Sequence, residues 1–282
     1  MIIRDVREMR QTAERIRLSG KRIAVVPTMG YLHEGHLSLI RIARLKADMV
    51  ITTLFVNPTQ FGPQEDYERY PRDFQRDLSL ANTAGTDHLF APEAAQMYPT
   101  GYSTFIDVGG ITEVLEGKSR PGHFRGVATV VAKLFNLTKP HVAVFGQKDA
   151  QQVAVIRRMV RDLNFDVEIV VGPTVREEDG LAMSSRNTYL NPQQRREAPV
   201  LFQALKLAER RVKENETECK KIVNEMHQLI TSTTSGVVDY ISLADNTSLK
   251  ELEHLQPGQS VLVSLAVTFG TTRLIDNVII LV

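Results

Sequence analysis

The sequence predicts an α/β protein: a Rossmann-like, doubly wound parallel sheet followed by a smaller α+β domain. Three observations carry that prediction. Short apolar runs alternate with helical patterns through the first half of the chain, which implies parallel strands joined by crossover helices. The first of these runs leads straight into a glycine- and histidine-bearing helix start. After about Ser184 the pattern changes to two charged amphipathic helices and then three apolar runs, which read as antiparallel strands.

Taken in order, residues 1–20 are charged and helical in pattern. Arg22 to Pro27 is an apolar run bounded by Gly20 and Pro27, as a buried strand would be. A helix follows Gly35. Met49 to Val56 is the next strand and ends at the turn signal Asn57-Pro58. Asp73–Ala84 reads as a helix, Asp87–Phe90 as a short strand, Val127–Asn136 as an apolar helix and His141–Phe145 as a strand. Ala150–Leu163 is a helix and Asp166–Val171 a strand. In the second half, Gln193–Glu214 and Thr217–Ile230 read as helices, and Val238–Leu243, Ser260–Val267 and Arg273–Val282 as strands. The expected domains are 1–178 and 179–282.

Composition excludes several classes. With 34 Lys plus Arg against 33 Asp plus Glu, the net charge of +1 gives no basic excess for a nucleic-acid partner. The single cysteine rules out an internal disulfide. No apolar stretch approaches the roughly 18 residues of a membrane span, and residues 1–20 lack a signal-peptide core. The expected protein is cytoplasmic, with no nucleic acid and no membrane as partner.

Ligands of doubly wound sheets sit at the carboxyl ends of the strands. Met29-Gly30-Tyr31-Leu32-His33-Glu34-Gly35-His36 lies at the first such end and opens a helix. Free N–H groups and the positive dipole end attract phosphate there. His33 and His36, three apart, can point the same way and stabilise charge at a phosphorus. Taken alone, the segment is equally a plain strand–turn–helix junction; zinc is weaker, for want of a third ligand. Gly146-Gln147-Lys148-Asp149 lies at another strand end, with Gln152 one turn further on. Met183-Ser184-Ser185-Arg186 offers phosphate donors or, taken alone, a polar linker. Asn57 and Gln60 place amides after the second strand, where an ordinary turn is the alternative. Arg120 to Gly126, a donor-rich segment or a plain loop, precedes the apolar helix.

These segments together resemble the pantoate–β-alanine ligase (pantothenate synthetase) family. The matching pieces are PTMGYLHEGH (27–36), FVNPTQF (55–61), YPRDFQRDL (70–78), LEGKSRPGHFRGV (115–127), FGQKDAQQ (145–152), VREEDGLAMSSRN (175–187) and RLIDN (273–277), in family order over nearly the whole chain. The resemblance implies a nucleotidylyltransferase-type Rossmann domain with a C-terminal lid, and a homodimer. It implies that ATP and (R)-pantoate form pantoyl adenylate and diphosphate, and that β-alanine then gives pantothenate and AMP. By position, Met29 to His36, Gly146 to Asp149, Val175 and Met183 to Arg186 would bind ATP. His36, His33, Lys148, Ser184 and Arg186 would be the catalytic groups. Gln60, Gln152 and Asn57 would hold pantoate, Gln60 would also meet β-alanine, and Asp77 would attend a Mg²⁺. No organic cofactor is expected. Where the family commonly has an acidic residue this chain has Gln147, whose side chain is expected to face outward.

Two other readings stay open on the residues alone. Another adenylyltransferase would share the histidine motif without the glutamine segments. A nucleotide-binding regulatory protein would bind ATP without turnover, though intact His33, His36, Lys148 and Arg186 speak for chemistry.

Overall fold

The structure, a computed structural model, describes residues 1–63 and 65–282. The chain divides into two compact units, Met1–Gln147 with Gln151–Pro173, and Lys148–Ala150 with Thr174–Val282.

The first unit runs β1 (Ile2–Ile3), α1 (Val6–Leu18), β2 (Ile23–Thr28), α2 (Glu34–Lys46), β3 (Met49–Leu54), α3 (Phe74–Ala84) and β4 (His88–Phe90). It continues with α4 (Ala94–Met97), α5 (Glu116–Ser119), α6 (His123–Thr138), β5 (Val142–Gly146), α7 (Ala150–Asp162) and β6 (Glu168–Gly172). Its strands form one sheet in the order β1-β4-β3-β2-β5-β6, and every pairing is parallel. Both faces are covered, so the central strands are apolar on both faces rather than alternating, with buried Thr28, Thr52 and Thr53 toward their carboxyl ends. Ala24, Val26, Val50, Val142 and Val144 pack with Leu39, Ile40 and Ala43 of α2 and with Ala81 and Ala84 of α3. The opposite parity, Val25, Ile51 and Ala143, is fully buried beneath the face that α1 and α6 cover. Chain order reverses between β2 and β5, which sit side by side. That is the switch point where a doubly wound sheet leaves a crevice at its carboxyl edge.

The second unit holds α8 (Pro192–Glu197), α9 (Val200–Lys213), α10 (Cys219–Thr233), β7 (Val237–Asp245), β8 (Ser260–Phe269) and β9 (Thr272–Leu281). The three strands form an antiparallel sheet in sequence order. Val261, Val263, Leu265 and Val267 of β8 meet Leu201, Leu205, Ile222, Met226 and Ile230 from α9 and α10 in its core.

Three sequence expectations change. The helix read over Gln193–Glu214 is two helices, because Pro199 has no N–H to donate and its ring crowds the preceding turn. The strand β1 is an addition to the expected elements; two residues are too few to show a period. Helix α6 begins at His123, four residues before its apolar run, because its first turn is anchored by polar contacts described below.

Candidate active site

The carboxyl end of β2 is built as an anion-seeking loop. Thr28 Oγ1 donates to Thr53 O at 2.6 Å and accepts from Gly30 N at 3.2 Å. Gly30 and then Tyr31 take left-handed backbone conformations, with φ of 87° and 50°. For tyrosine that is an uncommon and strained state, kept only where surroundings enforce it. Asp77 enforces it: its two carboxylate oxygens accept from Tyr31 N and Leu32 N, each at 2.7 Å. A Cβ at Gly30 would come 3.0 Å from Asp77 Oδ2, so glycine also leaves room for the anchor. Asp77 is 2% exposed. Burial raises its pKa, and the two backbone N–H bonds work against that rise.

His33 is the N-cap of α2, and His36 lies in its first turn. Their ring centroids are 4.1 Å apart. The His33 backbone N–H donates to His36 Nδ1 at 3.3 Å. An accepting Nδ1 carries no proton, so His36 is the neutral tautomer with its hydrogen on Nε2. Leu32 is fully buried in the sheet's core, and Glu34 pairs with Arg41. Met29 lends its Sδ to Gln60, as described next.

Next to β2, the end of β3 carries a 3-10 turn, Pro58–Gln60. Asn57 Nδ2 donates to Gln60 Oε1 and to Gly126 O, both at 3.1 Å. Asn57 Oδ1 accepts from Tyr98 OH at 2.8 Å and Thr59 Oγ1 at 3.0 Å. Asn57 is 1% exposed. Its amide is therefore engaged in shaping the turn. Gln60 Nε2 donates to Met29 Sδ at 3.0 Å. A thioether is a weak acceptor, readily exchanged for a ligand oxygen.

On the other side of β2, β5 ends at Gly146 and leads through a 3-10 turn, Gln147–Asp149, into α7. Gln152 is half-buried in the first turn of α7. The adjacent Gln151 is 5% exposed and structural: it accepts from Glu116 N and donates to Ile111 O and Val114 O. Gln147, expected to face outward, is half-buried.

Within the second unit, Lys148 Nζ lies 3.8 Å from Asp149 Oδ1, and Asn277 Nδ2 donates to Lys148 O at 2.8 Å. Met183 N donates to Val175 O at 3.0 Å. Ser184 caps the 3-10 helix Ser185–Tyr189 by accepting from Arg186 N at 3.2 Å, and Ser185 is buried. Arg176 pairs with Asp276 through two contacts, 2.6 and 3.0 Å, and its guanidinium lies over the Phe202 ring.

Three supporting residues escaped sequence reasoning. Tyr98, His123 and the loop-anchoring part of Asp77 act through contacts 40 or more residues away in sequence. The sequence signals were the run of donors from Arg120 to Gly126 and, for Asp77, the segment YPRDFQRDL (70–78).

A doubly wound sheet with a histidine-bearing helix start at its switch point, and with amide side chains beyond the ends of both neighbouring strands, defines an enzyme that works on a nucleotide and a small polar acid. The model of the family described as pantoate–β-alanine ligase matches residues 1–279. The pantothenate synthetase of Acetivibrio thermocellus is 57% identical over 261 residues, 93% of this chain and 92% of that one. That of Caldicellulosiruptor bescii is 50% identical over 280 residues, 99% of each. The crystal structure of pantothenate synthetase from Thermus thermophilus superposes with a TM-score of 0.92 at 46% identity, covering 98% of both chains. A pantoate–β-alanine ligase from Francisella tularensis, complexed with beta-gamma ATP and beta-alanine, superposes at 0.81 and 33% identity over 99% of this chain and 97% of that one. This chain belongs to the pantoate–β-alanine ligase family.

Proposed function

We propose that the chain joins (R)-pantoate to β-alanine in two steps, with ATP as the activating substrate. In the first, a pantoate carboxylate oxygen attacks the α-phosphorus; the new P–O bond forms as the bond to the β-phosphate bridge breaks, and diphosphate leaves. In the second, the neutral amine of β-alanine attacks the acyl carbon of pantoyl adenylate. AMP departs, and the amide nitrogen loses a proton to give pantothenate.

No enzyme nucleophile is needed, so the protein's work is positioning and charge stabilisation. We assign His36 Nε2–H and His33 to the phosphates beside the start of α2, with the loop's backbone N–H groups. Lys148, Ser184, Ser185 and Arg186 are the further donors of the reading. Gln60 and Gln152 hold pantoate, and Gln60 also meets β-alanine. The observation that carries the reading is the Gln60 carboxamide: buried, held by a weak thioether acceptor, and one strand away from a neutral, pre-set His36 donor.

We infer that Mg²⁺ accompanies the triphosphate. Among the described residues no group of three or more His, Cys, Asp or Glu is placed to hold a metal. The Asp77 carboxylate already takes two backbone N–H groups. The residues do not fit a protein-built magnesium cage, and Asp77 serves the loop. Among the described residues no helix is long and apolar enough to cross a membrane. We read the chain as a cytoplasmic homodimer, which light scattering checks.

The test is pantothenate formation from ATP, pantoate and β-alanine, with each substrate omitted in turn. Pantoate-dependent exchange of diphosphate into ATP without β-alanine supports the adenylate; exchange that requires β-alanine overturns it.

A further inference from the structure

A chain of polar groups, half-buried at Glu65 and Arg120 and buried at His123, runs into the first turn of α6, and the two steps above leave it without a part. Arg120 and Glu65 form a two-pronged ion pair, Nε to Oε1 and Nη2 to Oε2, each at 2.7 Å. Arg120 Nη1 lies 3.1 Å from His123 Nε2, and His123 Nδ1 lies 2.8 Å from the backbone oxygen of Gln60. A guanidinium only donates, so Nε2 must accept; a carbonyl only accepts, so Nδ1 must carry the hydrogen. The ring is thereby fixed from both ends in one neutral tautomer.

The location gives that fixation a consequence. Among the described residues the Gln60 side chain is held by a thioether and by a shared Asn57 amide. Its orientation therefore depends on where the backbone of the 58–60 turn is pinned. Two groups of α6 pin it, His123 Nδ1 at Gln60 O and Gly126 O at Asn57 Nδ2.

We propose that His123 is a positioning residue for Gln60: set in its Nδ1–H form by the Glu65–Arg120 pair, it locks the turn so that the Gln60 carboxamide faces pantoate. This rests on the reading of Gln60 as a pantoate contact. His123 takes no proton in the reaction. The charged groups facing its ring are Arg120 before α6, Glu65 from the segment after the turn, and Glu116 of α5. Burial, then the Arg120 charge, holds the ring neutral. A second ring proton would also set donor against donor at Arg120.

Substitutions separate the two ring nitrogens. His123→Asn keeps a donor at the δ position; His123→Gln keeps an acceptor at the ε position and loses the donor to Gln60. We expect His123→Gln and His123→Ala to raise the pantoate KM about tenfold, the scale of one lost hydrogen bond. The ATP KM should stay within about twofold, and His123→Asn should restore most of the pantoate KM. In the unmodified protein, ¹⁵N spectra of labelled histidines should show His123 as Nδ1–H, unchanged between about pH 5.5 and 8.5. An Nε2–H form, or a ring that titrates in that range, overturns the proposal even if the variants fail to fold. Equal pantoate KM values in the Asn and Gln variants, with Gln60→Ala strongly impaired, overturn the relay alone. A Gln60→Ala enzyme with an unchanged pantoate KM overturns the reading of Gln60, and the positioning role with it, whatever the spectra show.

Discussion

His36 is a neutral donor before any ligand arrives, because the helix it opens supplies the hydrogen bond that fills its Nδ1. A donor set in advance costs no reorganisation when charge develops, which is where such groups gain their effect. His36→Ala should therefore slow pantoate-dependent diphosphate exchange by on the order of 10²–10³ while its melting curve stays near that of the parent. Near-parental exchange would remove His36 from the chemistry. Asp77 works one level further back. Asp77→Asn keeps the size but replaces one acceptor by an N–H donor, so one of Tyr31 N and Leu32 N loses its partner. A buried N–H left unmatched costs about 1–3 kcal/mol. The expected outcome is a lower melting temperature together with a raised ATP KM; a variant with both unchanged would mean that the left-handed Gly30-Tyr31 turn stands without its anchor. The two residues differ in legibility. The pairing of His36 with His33 could be read in the sequence because the two are three residues apart at one helix start. Asp77 could not, since its partners lie 45 and 46 residues away and a carboxylate in a helix's first turn has an ordinary local explanation.

At the scale of elements, the close approach of α6 to the 58–60 turn decides where Gln60 points. A Cβ on Gly126 would overlap the Thr59 carbonyl and lie 2.7 Å from Gln60 N. Helix propensity alone favours alanine there by about 1 kcal/mol. Overpacking against backbone costs about 1–3 kcal/mol. The clash therefore wins, and Gly126→Ala should lower stability and raise the pantoate KM by moving the turn. A variant that melts higher with unchanged kinetics would show that the two elements do not meet as described. Here too the sequence showed some elements and hid others. The strands were legible because those buried on both faces carry unbroken apolar runs, as Ile23 to Val26 do. The first turn of α6 was hidden because His123 and Gly126 are chosen for contacts with another element, not for helix period. The break at Pro199 was in plain view, but amphipathic pattern on both sides carried the reading across it.

For the molecule as a whole, buried histidine makes acid the condition to which the fold is sensitive. Burial, followed by the Arg120 charge, pushes the His123 pKa down to about 4 from 6.5. The unfolded chain thus binds a proton between those values that the native state refuses, so stability falls as pH drops from about 6.5 and the loss is complete below about 4. A shift of that size corresponds to roughly 3 kcal/mol. His88 and His141, also lowered first by burial, carry the same sign. Glu65 adds to it at lower pH: burial raises its pKa, but its Arg120 hydrogen bond and charge outweigh that and leave it below the usual range. Its contribution is present above the unfolded carboxylate pKa and is lost as pH falls through the folded one. Asp77 opposes them, since a raised carboxylate pKa lets the native state take a proton earlier than the unfolded chain does. The share belonging to His123 can be isolated by urea unfolding of the parent and of His123→Asn at about pH 7.5 and pH 4.5. The parent should lose more unfolding free energy between the two conditions than the variant, by a margin of about 2–3 kcal/mol. Equal losses in the two proteins would mean that the ring already takes up a proton in the native state, at odds with its place between a guanidinium and a carbonyl.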